Sequence, residues 1–172
     1  MSKNKESLIA WDPAWEDAVQ QYKEEFRKAG MDWEGLGPHY PIGKETLYWK
    51  LQKDSLAGCS SSTYLYVREE EKRLLGMLNL RRGQTGESLA RMGNIGFSIR
   101  PCEQGKGYAV RMLREAAPLS MMQGIIPWYM VCLADNEASR RVIARLGGRK
   151  QGETVWAAGE PAVEKYVVYD VF

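Results

Sequence analysis

The sequence predicts a mixed α/β (α+β) fold: a single, mostly antiparallel sheet with a parallel pair at its centre and helices on both faces. Three observations carry this. Hairpin-like pairs of β-prone runs at residues 63–80 and 149–172 call for antiparallel neighbours. Between them, residues 93–133 read strand, helix, strand, the order that makes parallel neighbours. The turn inside that unit is rich in glycine and opens a helix, so the backbone there takes dihedrals that side chains disfavour.

The elements follow in order. Residues 8–12 suit a short strand, and Pro13 and Trp15 mark the change to helix. Residues 14–28 form an amphipathic helix, because Ala18, Tyr22 and Phe26 recur four apart. Gly30 stops it. Residues 31–43 hold Gly35, Gly37, Pro38 and Pro41 with Trp33, His39 and Tyr40, and read as an aromatic-rich loop that covers the core or walls a substrate. Residues 44–56 suit a second helix with Leu47 and Leu51 inward, and residues 58–62 a loop. Residues 63–68 and 74–80 are strands joined by the polar tip 69–72, and residues 81–86 are a polar loop whose Arg81 and Arg82 face solvent or an anion.

Ile95, Phe97 and Ile99 then alternate with smaller or polar residues, the period of a strand with one buried face. Arg100 and Pro101 end it, since proline has no N–H for a ladder. The next helix has Ala109, Val110, Met112, Leu113 and Ala116 as apolar positions; Pro118 should kink or shorten it, and Met121 and Met122 should fill core. Residues 127–133 are a buried strand. Residues 135–148 are a helix with Asp135 or Asn136 as N-cap, Ala138, Val142 and Leu146 as its stripe, and Gly147 and Gly148 as its stop. Residues 149–172 give two strands around a turn at Gly159, Glu160 and Pro161, the last spanning 166–172.

Composition narrows the class. A chain of 172 residues suits one domain, so residues 1–172 are read as a single unit. The net charge of +2 gives no argument for nucleic acid. No apolar run reaches a membrane span, and the polar first seven residues lack the apolar core of a signal peptide, which makes the cytoplasm the expected location. Cys59, Cys102 and Cys132 are widely spaced and His39 is the only histidine, so no metal site is expected.

The turn at Gln104, Gly105, Lys106, Gly107, Tyr108 and Ala109 carries the chemistry. The first N–H groups of a helix lack intrahelical partners and sit at the positive end of its dipole, so they attract anions. Val110 stands where a dinucleotide fingerprint needs a third small residue, and no Gly-Lys-Ser/Thr of a P-loop follows.

These residues, with Asn136 and Ser139 ahead of Leu146 and Gly147, resemble the GCN5-related N-acetyltransferase (GNAT) superfamily. More narrowly, residues 93–148, Leu78 to Arg81 and Lys165 to Val168 resemble a bacterial group of predicted acetyltransferases of undefined substrate. The resemblance implies a central strand pair splayed at the cofactor site. It implies acetyl-CoA as cofactor, with Gln104, Gly105, Lys106, Gly107, Tyr108 and Ala109 on the pyrophosphate, Asn136 and Ser139 on the pantetheine arm, and the main-chain N–H of Ile99 on the thioester oxygen and developing oxyanion. It also implies direct transfer of acetyl to a primary amine of a small molecule, amino acid or peptide, and a terminal strand that often pairs across a homodimer. Three positions depart from the family pattern: Cys102 where Gln or Arg is usual, Ile143 where many members place a tyrosine acid, and Gly148 where many have an aromatic.

Acid–base candidates are Asn94 at the start of the central strand, Tyr166 and Tyr169 near the end, and Glu87, Asp135 and His39. Asn94 can only hydrogen-bond, since an amide takes no proton. The departures keep two further readings in view: a non-catalytic acyl-CoA-binding module, and a nucleotide-phosphate-binding protein using the same turn.

Overall fold

A computed structural model describes residues 5–31, 60–155 and 158–170 of the chain, without the side chains of residues 87 and 88. The expected helix at 44–56, His39 with nearly all of its aromatic loop, Cys59, and the Glu87 side chain lie outside the described residues.

Strand β1 (Glu6–Ala10) leads through a 3-10 turn at Pro13–Trp15 into α1 (Glu16–Lys28). Asp12 caps that turn by accepting the Ala14 N–H at 2.7 Å. Strands β2 (Ser60–Arg68) and β3 (Arg73–Arg82) form the expected hairpin, and helix α2 (Gly86–Met92) leads into β4 (Ile95–Ile99). Helix α3 (Tyr108–Met122), β5 (Trp128–Leu133), α4 (Glu137–Arg145), β6 (Arg149–Thr154) and β7 (Val163–Val168) complete the order.

The ladders are antiparallel and fall into two groups, ordered β1-β2-β3-β4 and β5-β7-β6. The expected single sheet with a central parallel pair is instead two sheets with no β4–β5 ladder, and one joint at the leading ends of β4 and β5 holds them together. The Asn94 N–H donates to the Tyr129 carbonyl at 2.9 Å. The Asn94 side chain accepts the Tyr129 N–H at 2.8 Å and donates to the Pro127 carbonyl at 3.1 Å. Past this joint β4 and β5 share no ladder, so the two sheets touch at one end and stand apart at the other.

Helices cover both faces, each over its own core. Val19, Tyr22 and Phe26 of α1 pack on Leu65, Val67, Leu74 and Met77. Met112, Leu113 and Ala116 of α3, with Ile143 and Leu146, pack on Leu75, Leu78, Leu80, Ile95 and Trp128. Burying each larger apolar side chain here contributes about 1.5–3 kcal/mol. Successive residues of β3 point to opposite faces, and with a core on each face β3 is buried on both sides; the bulge opposite Tyr66 and Val67 shifts the alternation, so Leu75 and Met77, two apart, enter different cores.

Several local expectations change. Ser60, Ser61 and Ser62 pair with Arg82, Arg81 and Leu80, so they are strand rather than loop. Arg81 is buried and its guanidinium donates to the Met92 carbonyl at 2.7 Å; it holds α2 instead of facing solvent or an anion. Pro118 lies inside an unbroken α3, because the carbonyl it leaves unpaired belongs to exposed Arg114, where water can reach it. Met121 and Met122 are exposed and do not fill core. The last strand ends at Val168 and runs between β5 and β6, so it has no open edge; β6 is the outer strand.

Candidate functional site

The glycine turn sits where β4 ends. Pro101–Glu103 makes one 3-10 turn, and the chain then passes through Gly105 at φ 75° and Gly107 at φ 81°, the left-handed region that glycine adopts without strain. Gly107 is the N-cap of α3. From Gly105 to Val110 the main-chain N–H groups have no hydrogen-bond partner among the described residues, and the first helical bond runs from Arg111 to the Gly107 carbonyl at 3.2 Å. A run of orphan donors at a helix start is an anion site by construction.

The side chains around the turn brace it. Gln104 donates to the Ile99 carbonyl at 3.0 Å, tying the loop to the strand end. Lys106 is paired with Glu103 at 2.8 Å, and Arg73 holds the same carboxylate at 2.7 Å. The attraction for an anion therefore rests on the N–H groups more than on Lys106. Arg111 stacks on the Tyr108 ring at 4.4 Å and donates to the Lys106 carbonyl at 3.4 Å, while Arg68 donates to the Tyr108 hydroxyl.

Burial pushes the Glu103 carboxyl up, but Lys106 and Arg73 outweigh it and hold the group below the ordinary glutamate value. A carboxyl depressed on folding contributes stability above its unfolded pKa and loses it as pH falls through the folded value. Arg73→Met should therefore lower Tm near neutral pH, with the gap to wild type shrinking as pH drops below the ordinary carboxylate range. Thermal melts from pH 7 to 3 check this; a gap that stays constant would refute it.

Beside the turn lies the gap between β4 and β5. Ladder bonds alternate along an antiparallel pair, and the Arg100 N–H donates to the Leu75 carbonyl at 2.8 Å. Opposite Gly76, Ile99 is thus a non-bonded position, as is Phe97 opposite Leu78. The main-chain groups of Phe97 and Ile99 point away from β3, toward the open side of β4. A cavity of about 290 Å³ runs from Gly105, Gly107 and Tyr108 past Ile99 to Asn136 and Ser139. A second, of about 210 Å³, continues between Ile95, Gly96 and the β5 residues Met130 to Leu133. Phe97, Asn136 and Ser139 line both, so the two form one groove.

Asn136 caps α4 by accepting the Ser139 N–H at 3.0 Å, which places both residues on the groove wall. Ile143 is buried, lines the second cavity, and packs so near Gly148 that a Cβ there would lie 2.3 Å from its Cγ2. A Cβ at 148 would also lie 2.8 Å from the Ile143 carbonyl oxygen, so the backbone as well as the isoleucine side chain keeps position 148 a glycine. Of the expected α4 stripe, Leu146 is buried, Val142 half-buried and Ala138 exposed along the first cavity.

The remaining candidates stand apart from the turn. Asn94 is buried with its amide committed to β5. Tyr166 lines neither cavity, and its hydroxyl donates to Glu164, a buried carboxylate that also pairs with Lys150 and, at 3.1 Å, with Arg140. Burial, then the bond to Glu164, pushes the Tyr166 phenol up, so it stays protonated at neutral pH. Tyr169 and Asp135 are exposed. The Cys102 thiol lies 3.3 Å from both the Glu25 carboxylate and Arg73, outside the groove. Sequence reasoning passed over Phe97, Arg141 and Arg145, all on the groove wall. The two arginines follow Ala138 at helical spacing, which is the signal that could have found them.

Comparison with known proteins agrees with this architecture. The family model described as "Acetyltransferase (GNAT) domain" matches residues 5–149. A search of curated proteins returned no match. Among solved structures, the ribosomal L7/L12 alpha-N-protein acetyltransferase RimL, in complex with coenzyme A held as a cysteine disulfide, is 20% identical at TM-score 0.66, with 100% of this chain and 98% of that one covered. The structure of yncA from Salmonella typhimurium with its cofactor acetyl-CoA is 14% identical at TM-score 0.63, covering 95% and 93%. A variant of the spermidine N-acetyltransferase SpeG from Vibrio cholerae is 15% identical at TM-score 0.60, covering 95% and 94%. With the family model spanning most of its length, the chain belongs to the GNAT family of acetyltransferases, which use acetyl-CoA to acetylate amines.

Proposed function

We propose that residues 1–172 are one acetyltransferase-like domain that binds acetyl-CoA along the β4–β5 groove and passes its acetyl group to a primary amine of a small molecule or peptide. One observation carries this reading. The orphan N–H groups of Gly105 to Val110 open on the same cavity as the main chain of Ile99 and Phe97. An anionic diphosphate fits the first set and an amide-bearing arm fits the second.

The roles follow from placement. Gly105, Lys106, Gly107, Tyr108 and Ala109 hold the pyrophosphate, with Gln104 fixing the turn. Asn136 and Ser139 flank the pantetheine arm. The N–H groups of Ile99 and Phe97 are donors for the thioester oxygen and for the charge that builds on it; Phe97 joins Ile99 because it lies where the two cavities meet. When bound, acetyl-CoA supplies the activated acetyl group. Asn94 acts as a positioning residue that fixes the closed end of the gap. Ile143 has no proton to give; Tyr166, kept protonated, lines neither cavity and donates to Glu164, so it can serve as proton donor only by leaving that partner. The relatives that modify a ribosomal protein or spermidine support an amine acceptor of either kind. Among the described residues no helix is long and apolar enough to cross a membrane; the cytoplasm is the location we propose, and a homodimer, if formed by strand pairing, would use β6.

A thermal-shift series with acetyl-CoA and a thiol-release assay across peptides, polyamines and amino acids test the proposal. Stabilisation by acetyl-CoA together with thiol release on at least one amine is the expected result; neither would end it. Tyr166→Phe should keep acetyl-CoA binding and lower kcat by about 10²-fold if the phenol donates a proton. An unchanged kcat would remove Tyr166 from the mechanism. The buried Ile143 in the groove wall favours one second reading, a non-catalytic acyl-CoA-binding module, for which binding without turnover is the outcome.

A further inference from the structure

Helix α4 gives the two cavities of the groove different residues. Asn136, Ser139 and Ile143 line the second, between the separated strands. Ala138, Arg141, Val142 and Arg145 line only the first, the cavity that holds the glycine turn. Those four positions form one stripe of a helix, so both arginines stand on one wall and share a cavity with Gly105 and Gly107. Arg145 is exposed, and its side chain has no hydrogen bond or ion pair among the described residues. Arg141 pairs with Glu137 at 2.5 Å, but the two side chains are 72% and 67% exposed, and a pair so exposed holds a guanidinium only weakly. Glu137 lines neither cavity. The acidic residue that does line the first cavity is Glu103, whose carboxylate is taken by Lys106 and Arg73.

We propose that Arg141 and Arg145 form a subsite for a phosphate monoester, the 3′-phosphate of acetyl-CoA, and so select the whole cofactor over its dephosphorylated form. The inference rests on the acetyl-CoA reading of the groove. The diphosphate is matched by the run of open N–H groups at the turn, which attracts an anion without an added cation. The phosphate on the adjoining ribose is a separate group, with a charge of about −1.5 to −2 at neutral pH and three acceptor oxygens. It needs donors of its own, and a guanidinium fork matches it bidentately. Placement sets the arginines apart from the acceptor. Neither lines the second cavity, and two guanidiniums repel the ammonium form of an amine.

Calorimetric titration of the full-length protein with acetyl-CoA and with acetyl-3′-dephospho-CoA tests this, since the ligands differ in that phosphate alone. Wild type should bind acetyl-CoA about tenfold or more tightly than the dephosphorylated ligand, as one charge-assisted contact requires. Arg145→Gln should cut that preference to about threefold, and the double variant with Arg141→Gln to about twofold or less, while the dephosphorylated ligand binds all three proteins alike. Added salt should erode the wild-type preference. Arg114, exposed on α3 and lining neither cavity, supplies the control: Arg114→Gln removes the same charge elsewhere and should leave the preference intact. Glutamine is a good helix former at these exposed positions, so the variants should fold; should one fail, the wild-type preference and its salt dependence carry the test. Variants that weaken both ligands equally would place the arginines on the diphosphate and overturn the subsite. Equal binding of the two ligands by wild type also overturns it and leaves the acetyl-CoA reading standing, whereas binding of neither ends both.

Discussion

Gly107→Glu is expected to weaken acetyl-CoA binding by about a hundredfold or more, because like charges juxtaposed at a binding surface cost several kcal/mol and each 1.4 kcal/mol is tenfold. The substitution sets a carboxylate at the head of α3, where Gly107 is the N-cap and the neighbouring N–H groups are open. In the free protein the same carboxylate is favoured by the helix dipole, which offsets part of the strain of a side chain at φ 81°. The fold should therefore survive while the ligand is refused. Gly107→Ala separates the two effects. A Cβ at this position meets nothing within 4 Å, so alanine adds backbone strain without filling the site. It should cost about 1–2 kcal/mol of stability and much less affinity than glutamate. Calorimetric titration of acetyl-CoA into both variants decides. Equal, unchanged Kd values would show that the diphosphate does not lie on this turn.

The turn was legible because its chemistry is local. Two glycines, a proline and the start of an apolar helix fall within a dozen residues, and each acts on its own stretch of backbone. The α4 cap was legible for the same reason: Asn136 reaches only to Ser139. The groove itself was not written so plainly. Phe97 reads as one of three alternating apolar residues, and only the missing β4–β5 ladder makes its main chain a candidate donor. Arg81 reads as half of an exposed pair, and only the short α2, seven residues with no room for a repeating pattern, makes it a buried brace. In the sequence Asn94 is a catalytic candidate, because a sequence cannot show a side chain substituting for a strand ladder across 35 residues. Met121 and Met122 looked like core filler because apolar character does not tell which side of a helix end faces the sheet.

The joint at Asn94 leads to the second large effect. Gly93→Ala should destabilise the protein by about 2–5 kcal/mol, the sum of left-handed backbone strain and overpacking. Gly93 has φ 64°, and a Cβ on it would lie 2.2 Å from the Tyr129 carbonyl oxygen and 3.3 Å from the Met130 Cα. Those atoms are backbone, so no rotamer change relieves the contact; β4 and β5 must move apart where they are joined. Asn94→Ala attacks the same joint differently, leaving the Tyr129 N–H and the Pro127 carbonyl without that partner; both bonds are part-buried, so each costs toward the lower end of about 1–3 kcal/mol. In a domain of this size each kcal/mol lowers Tm by about 2–4 °C, so either variant should melt well below wild type. Gly107→Glu makes the opposite pattern, with affinity lost and Tm nearly kept. If Gly93→Ala melted with wild type, the two strands could not approach this closely, and the gap that opens beyond the joint would lose its fixed end. If it melted early but still bound acetyl-CoA with wild-type affinity whenever folded, the joint would serve stability alone and the groove would be held open by α3 and α4.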